Sequence, residues 1–400
     1  MTASGASAVP PPLPAAVKGL SLVSLFNDFA SEMVYPLLPA FVTLPLGGGA
    51  IALGALDGAA ELTSAALKWV SGRLADRPGW RRPLILSGYA TAVLIRPLIA
   101  VTSAAWQVVG FRVIDRVGKG LRTSPRDALI ADVTPAPQRG RAFGFHRAAD
   151  HAGAVVGSLA AWVLLRRGAD VRQVIAWSVV PGVIAFLVLA VVLRSAAARR
   201  ADAIRPVPPA ARTGEVAPPS LWPPLLALAA MVLARLPEAL MLLRLQDLGV
   251  SIAAIPLLWA ALHVVRSGGS YPGGWLTDRL GPRGTVAAGG AVFAGVIGAL
   301  GLALTTPAAM AIFLALGLVA GLTESAERTL VARLAPARTG QGFGVYHALT
   351  GVAALPAGLI FGALYQHVGG GAALRVSALA TLAATAAWLA VSPRSERIVS

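Results

Sequence analysis

The chain reads as long apolar runs separated by short polar interruptions, with no sustained strand-like alternation of apolar and polar positions. A helix that crosses a membrane needs about 20 mostly apolar residues. Twelve segments approach that pattern: 25–41, 51–70, 83–101, 106–117, 143–165, 174–193, 221–243, 252–275, 285–304, 308–330, 343–364 and 372–391. The fourth and tenth run into charged stretches. Residues 1–16 are rich in Pro and Ala, lack the charged start of a signal peptide, and are read as a disordered tail. The Ala-, Pro- and Arg-rich stretch 195–220 reads as a linker between two halves, 17–194 and 221–392, with a short tail at 393–400. Most arginines in short loops fall on one side, among them Arg73, Arg77, Arg81 and Arg82 after the second segment and Arg279 and Arg283 after the eighth. The positive-inside rule then places both termini in the cytoplasm.

Composition sharpens this picture. Apolar residues make up 56% and charged residues 13%, with a mean hydropathy of +0.70; soluble chains carry about 25% charged residues. The net charge of +16 resembles a nucleic-acid binder's, but the arginines interrupt or flank apolar runs instead of forming one basic face. No nucleic-acid partner is expected. The absence of cysteine excludes disulfides, zinc–thiolate sites, iron–sulfur clusters and thiol nucleophiles. There is no phosphate-binding G-x-x-x-x-G-K-[ST] loop, no H-E-x-x-H and no nucleophile–base set, so neither ATP-driven transport nor an enzyme is expected, and no cofactor.

The two halves repeat. Gly72-Arg-Leu74-Ala-Asp76-Arg77-Pro-Gly79-Trp-Arg81 returns as Gly274-Trp-Leu276-Thr-Asp278-Arg279-Leu-Gly281-Pro-Arg283, six positions matching at an offset of 202. A second echo pairs Pro135 to Gly144 with Pro336 to Gly344. Each copy of the first motif follows the second apolar segment of its half. On this loop motif, its recurrence and the twelve-segment layout, the chain resembles the major facilitator superfamily over nearly its whole length. The resemblance implies an all-α membrane protein of twelve transmembrane helices in two pseudo-symmetric six-helix bundles, working as a monomer. It also implies a gating role for the loop residues Gly72, Asp76, Arg77, Arg81, Gly274, Asp278 and Arg279. Arg116, followed by Gly120, matches the family's helix-four motif and joins that set. The helix-five antiporter motif is matched only by Gly153 and Gly157.

Charge inside the apolar segments is the sharper signal, because it costs at least about 2.5–3.5 kcal/mol per group at the bilayer centre. Asp28 and Glu32 are four residues apart, as are Asp57 and Glu61. Two carboxylates that close cannot both ionise cheaply in a low-dielectric cavity, which is what a proton carrier needs. The alternative is structural pairing with Arg96 or Arg112. His146 and Asp150 share a helix face and form a possible proton shuttle; the alternative is an interfacial cluster with Arg122 or Arg126. Asp28, Glu32, Glu61, Asp150 and His146 are therefore the proton-coupling candidates. Tyr35, Asp57, Arg96, Arg112, Arg235, Glu238 and Glu324 are the substrate-binding candidates, with Arg235 and Glu238 close enough in sequence to neutralise each other. Pro36, Pro39, Pro97 and Pro256 mark expected bends.

The expectation is a multi-pass transporter of the cell membrane that couples proton movement to export of a small molecule, a drug or metabolite, by alternating access. Its partners are protons, the small-molecule or ion cargo and the lipid bilayer. Two alternatives keep the fold: a divalent-metal carrier using Asp28, Glu32, His146 and Asp150, and uptake of an anionic solute held by Arg96, Arg112, Arg235 or Arg266.

Overall fold

A computed structural model describes residues 12–75, 77, 79–135, 138–195, 222–334 and 339–392. Among these the chain is helical throughout and contains no strand. The first half holds α1 (Ala15–Val34), α2 (Leu38–Thr43), α3 (Ala50–Ala75), α4 (Arg81–Leu98), α5 (Ala105–Val133), α6 (Arg139–Arg166), α7 (Val171–Trp177) and α8 (Val179–Leu193). The second holds α9 (Trp222–Ala234), α10 (Glu238–Asp247), α11 (Ile255–Leu302), α12 (Thr306–Leu334), α13 (Thr339–Val368) and α14 (Gly370–Val391). Eight helical stretches among the described residues are long and apolar enough to cross a membrane.

Several expected boundaries move, each for a physical reason. α1 begins at Ala15, well before the expected position 25. α5 continues through the charged stretch to Val133, far past 117. Two of its charges find partners inside the first half: Arg122 donates to the Gly88 carbonyl at 3.0 Å, and Arg126 to the Ser24 hydroxyl at 3.0 Å. Pro36 and Pro39 break the first segment, where a 3-10 turn over Tyr35–Leu37 separates α1 from α2. Pro97 lies in the last turn of α4 before a second 3-10 turn. Pro256 bends nothing; it occupies the first turn of α11, where a missing N–H costs no helical bond. The break that the sequence reading missed is Arg235-Leu236-Pro237, between α9 and α10. Backbone groups freed there find partners on α14: the Leu236 N–H donates to Ser377 Oγ at 3.0 Å, and Ser377 donates to the Ala234 carbonyl at 2.9 Å.

The internal repeat is written in the backbone. The described glycines with positive φ are Gly47, Gly79, Gly168, Gly249, Gly281 and Gly369. They form three pairs separated by 202, 202 and 201 residues. Gly79 (φ 80°) and Gly281 (φ 72°) are the shared glycine of the repeated loop motif, and each turns the chain where a side chain would be strained. Gly281 also divides the long α11 into two helical segments.

The halves meet along α3 against α13 and α6 against α11, with α10 reaching across to α2 and α3. Small residues allow the closest approach. A Cβ on Gly54 would collide with the Gly358 carbonyl oxygen, and one on Gly358 with that of Gly54. At one end of the molecule a single hydrophobic core joins both halves, through residues such as Leu38, Phe41, Leu53, Leu240, Trp259 and Phe361. Other cores stay within one half: Leu20, Ile85, Tyr89 and Leu189 in the first, Leu228, Met231, Val286 and Trp388 in the second.

Gly54→Ala should lower stability by about 1–3 kcal/mol, because it overpacks a backbone-to-backbone contact. Gly110→Ala and Gly144→Ala, in helices with open space around them, should leave stability unchanged or raise it by about 0.5–1 kcal/mol. Unfolding curves of the three variants in one detergent check the contrast.

Candidate functional site

The breaks in the first and seventh segments face one another across a cavity of about 490 Å³ between the halves. The first half contributes Glu32 and Tyr35, Asp57 and Glu61 on α3, and Arg112 and Arg116 on α5. The second contributes Arg235 and Glu238 from either side of the α9–α10 break, Trp259, His263 and Arg266 on α11, and Phe293 further along it. Substrate pockets of this kind commonly fall between about 300 and 1,000 Å³.

Two carboxylates of the first half are held by donors from the second. Asp57 accepts from the Tyr35 hydroxyl at 3.0 Å and from the Ala239 backbone N–H at 3.0 Å. Ala239 lies in the first turn of α10, so the carboxylate sits at the positive end of that helix. Glu32 accepts from the Trp259 indole N–H at 2.7 Å, with His263 Nε2 3.9 Å from the same oxygen. The aromatic rings bind the arrangement together: Tyr35 and Trp259 lie 5.2 Å apart, and the Arg112 guanidinium is 4.9 Å from the Tyr35 ring.

The cations on α5 are organised by a fully buried acid that the sequence reading did not single out. Asp115 receives Arg96 Nε at 2.8 Å, lies 3.6 Å from Arg112 Nη1 and 4.0 Å from Arg116 Nε. Arg96 also donates to the Asn27 carbonyl at 2.9 Å, fixing α4 to α1. Arg96 does not line the cavity; it reaches Asp115 instead. Arg112 and Arg116 do line it, so Arg116, expected to gate through the helix-four motif, stands at the cavity wall.

The expected neutralisation of Glu238 by Arg235 does not occur. The i,i+3 rule holds only on a continuous helix, and Pro237 lies between them at the start of α10. Glu238 pairs with Arg266 on α11 instead. Arg235 lies 5.1 Å from the Phe293 ring, and its Nε and Nη2 are buried with no hydrogen-bond partner among the described residues. Glu61 likewise makes no hydrogen bond or ion pair among the described residues.

The proton-coupling candidates divide. Glu32 and Glu61 line the cavity. Asp28, His146 and Asp150 do not; the helical turn that aims Glu32 inward sends Asp28 toward Asn27, which donates to it at 3.0 Å. His146 is buried between the Ser21 and Ser24 hydroxyls at 3.4 Å each, with Asp150 3.8 Å away. Glu32 therefore does not gather with Asp28, His146 and Asp150, and among the described residues no group of three His, Asp or Glu side chains is arranged to hold a metal.

Of the gating candidates, Asp76 lies outside the described residues. Arg77 is exposed, Gly72 faces Ser124, and Arg81 is buried, donating to the Ala75 carbonyl at 2.9 Å and pairing with Asp132. Arg279 is exposed on α11. Gly274 and Asp278 fall on the same helix, and Glu324 on α12, with side-chain surroundings outside the described residues. Trp259 and His263 are not among the expected site residues, and Arg266 is expected only for the anion-uptake alternative. Their spacing of four and three puts them on one helix face, a signal that was available.

The sequence profile described as Major Facilitator Superfamily matches residues 20–355 and 230–399. An uncharacterized MFS-type transporter of Methanocaldococcus jannaschii is 28% identical over 358 residues, 87% of each chain. Multidrug resistance protein MdtH of Edwardsiella ictaluri is 32% identical over 133 residues, 33% of each chain. Among solved structures, a bacterial homolog of the human lysosomal transporter Spinster, in an inward-facing, unoccupied conformation, superposes with a TM-score of 0.68 at 18% identity, covering 94% of both chains.

If the Trp259–Glu32 bond ties the halves together, Trp259→Phe and Glu32→Gln should be non-additive, with a coupling energy of about 1.5–3 kcal/mol for a bond to a charged group. A double-mutant cycle on unfolding in mixed micelles measures it. Additivity within about 0.5 kcal/mol would remove the bridge from the account.

Proposed function

Because the chain belongs to the major facilitator superfamily, we propose that it is a proton-coupled secondary transporter of the cell membrane. In this reading twelve crossing helices form two six-helix bundles with both termini in the cytoplasm. A small molecule passes through the central cavity by alternating access, and no chemical conversion takes place.

One observation carries the proposal. Asp57 and Glu32, carboxylates of the first half, accept hydrogen bonds from the second half across the cavity. A carboxylate accepts more strongly when ionised. Protonation weakens both links, so proton occupancy biases how firmly the halves are held at that level. The shared apolar core at one end, against separate cores elsewhere, fits a molecule caught with one end closed.

Export is the direction expected from the sequence, and the MdtH relatives, matched over a third of the chain, support it. A second reading, uptake of an anionic solute together with protons, is favoured by Arg235, whose buried Nε and Nη2 lack partners among the described residues.

The test is proton flux in proteoliposomes containing a pH-sensitive dye, with lipophilic cations, organic anions and divalent metals added in turn. At least one class should drive proton movement, and Glu32→Gln and Glu61→Gln should abolish it while exchange of cargo across the bilayer persists. Cargo movement with no proton flux at any pH gradient would remove the coupling.

A further inference from the structure

Three acids of the cavity are already engaged: Asp57 by Tyr35 and the α10 N-terminus, Glu32 by Trp259, Glu238 by Arg266. Glu61 is the exception. Its carboxylate is exposed to the cavity and bonded to nothing among the described residues. Yet it lies in a field of cations, with Lys68 on its own helix and Arg112, Arg116 and Lys119 on α5. Lys68 and Lys119 are two of the three lysines in the whole sequence. A smaller cavity of about 160 Å³ continues from Glu61, lined also by Lys68 and by His347 and Thr350 of α13.

Across the main cavity stands Arg235, with two buried nitrogens lacking partners among the described residues. A buried guanidinium N–H without an acceptor is costly, and a carboxylate is the acceptor whose shape matches its fork. The Phe293 ring against Arg235, and Trp259 tilted at 50° to Tyr35, supply aromatic surface beside that charge. Among the described residues Asp115 is the only acid within ion-pair distance of Arg112 and Arg116, and they share it with Arg96; Asp57, Glu32 and Glu61 act on them from further away, so close pairing satisfies these cations only in part.

We propose that the cavity binds an organic carboxylate with an aromatic or apolar body, its carboxylate on Arg235 and the Arg112–Arg116 wall, and that Glu61 is the internal counter-ion which takes up one proton when the anion arrives. The inference rests on the second transport reading above and gives it a sign. Two anions compete for one set of cations. When Glu61 is ionised it neutralises the wall and repels the cargo. When it is protonated, the wall is free. The proton comes from bulk water and ends on the Glu61 carboxylate; no covalent bond of the cargo changes. Glu238 and His263 also face the cavity, but Glu238 is held by Arg266 and His263 lies against Glu32. His347, beside Glu61 in the smaller cavity, is the other group that could carry a proton there. Anion and proton then bind together, each raising the affinity for the other, which is the linkage that a carrier moving both in the same direction requires.

The experiment is titration calorimetry on the purified full-length protein in detergent, with benzoate and naphthalene-1-carboxylate as anionic probes and tetraphenylphosphonium as the cationic one. Buffers of different ionisation enthalpy report protons taken up. At least one carboxylate should bind, about tenfold or more tighter near pH 6 than near pH 8, with close to one proton taken up per anion at the higher pH. Arg235→Gln should weaken it by about tenfold to a hundredfold, the loss of a charge-assisted hydrogen bond, and Arg235→Lys by less. Glu61→Gln should bind the anion more tightly near pH 8, with no proton uptake and a flat pH profile. His347→Gln should keep the proton uptake. Binding of the cation but of neither carboxylate would overturn the proposal, as would proton release on binding or unchanged affinity in Arg235→Gln. Should Arg235→Gln not fold, Arg235→Lys with unaltered affinity would do the same. Anion binding with proton uptake but no accumulation in proteoliposomes would leave this inference standing and defeat the transporter reading instead.

Discussion

The structure depends on one buried carboxylate. Asp115 is wholly inaccessible, and three guanidiniums converge on it from α4 and α5. Removing one partner of such a group leaves uncompensated buried charge, a change that typically costs about 3–5 kcal/mol. Here the acid serves three cations, so its loss would strand all of them. The consequence runs in two directions. Arg96 is pulled inward and ties α4 and α5 to α1 through the Asn27 carbonyl. Arg112 and Arg116 are held at the cavity wall with only part of their charge satisfied. The residue that consolidates the first half therefore also holds two cations at the cavity wall.

The second half meets that wall with different physics. Its contribution is made by interrupting helices. The break at Arg235-Leu236-Pro237 frees backbone groups that Ser377 accommodates on α14, and it turns the start of α10 toward Asp57. Hydrogen bonds of this sort contribute only about 0.5–3 kcal/mol each. That is small beside a closed apolar core. Under the proposed alternating access, halves fastened by a few polar links at the cavity, and by one shared core at a single end, would exchange one arrangement for another without losing the packing within either half. Glycine contacts such as Gly54 with Gly358 keep α3 and α13 close while presenting few interlocking side chains.

Much of this was legible in the sequence. The repeated loop motif predicted two related halves, and its glycine proves to be a backbone requirement, since Gly79 and Gly281 both take positive φ. Glu32, Asp57, Glu61, Arg112, Arg235 and Glu238 were all expected at the cavity or in proton coupling, and all reach the cavity. What failed was pairing. Spacing says which side chains share a helix face, but not which neighbouring helix that face meets. Asp28 and Glu32 are one turn apart and still end in different surroundings. Arg235 and Glu238 were read as partners through a helical rule that Pro237 cancels. Arg96 was assigned to cargo because its acid, Asp115, sits nineteen residues away on the next helix.

Low hydropathy in a span carries information of its own. Segments on α1 and α5 fall outside the stretches apolar enough to cross a membrane by composition alone. They carry Glu32 in one case and Arg112, Asp115, Arg116 and Lys119 in the other. A helix exposed to lipid could not hold these groups. One enclosed by neighbours can, provided each charge meets a partner or water. Weak hydropathy in such a chain thus marks the helices that face inward. The charged positions without a partner among the described residues, Glu61 and Arg235, lie instead on the more apolar spans 50–75 and 222–247, and at the cavity they are where an arriving ligand or proton would change the energy most.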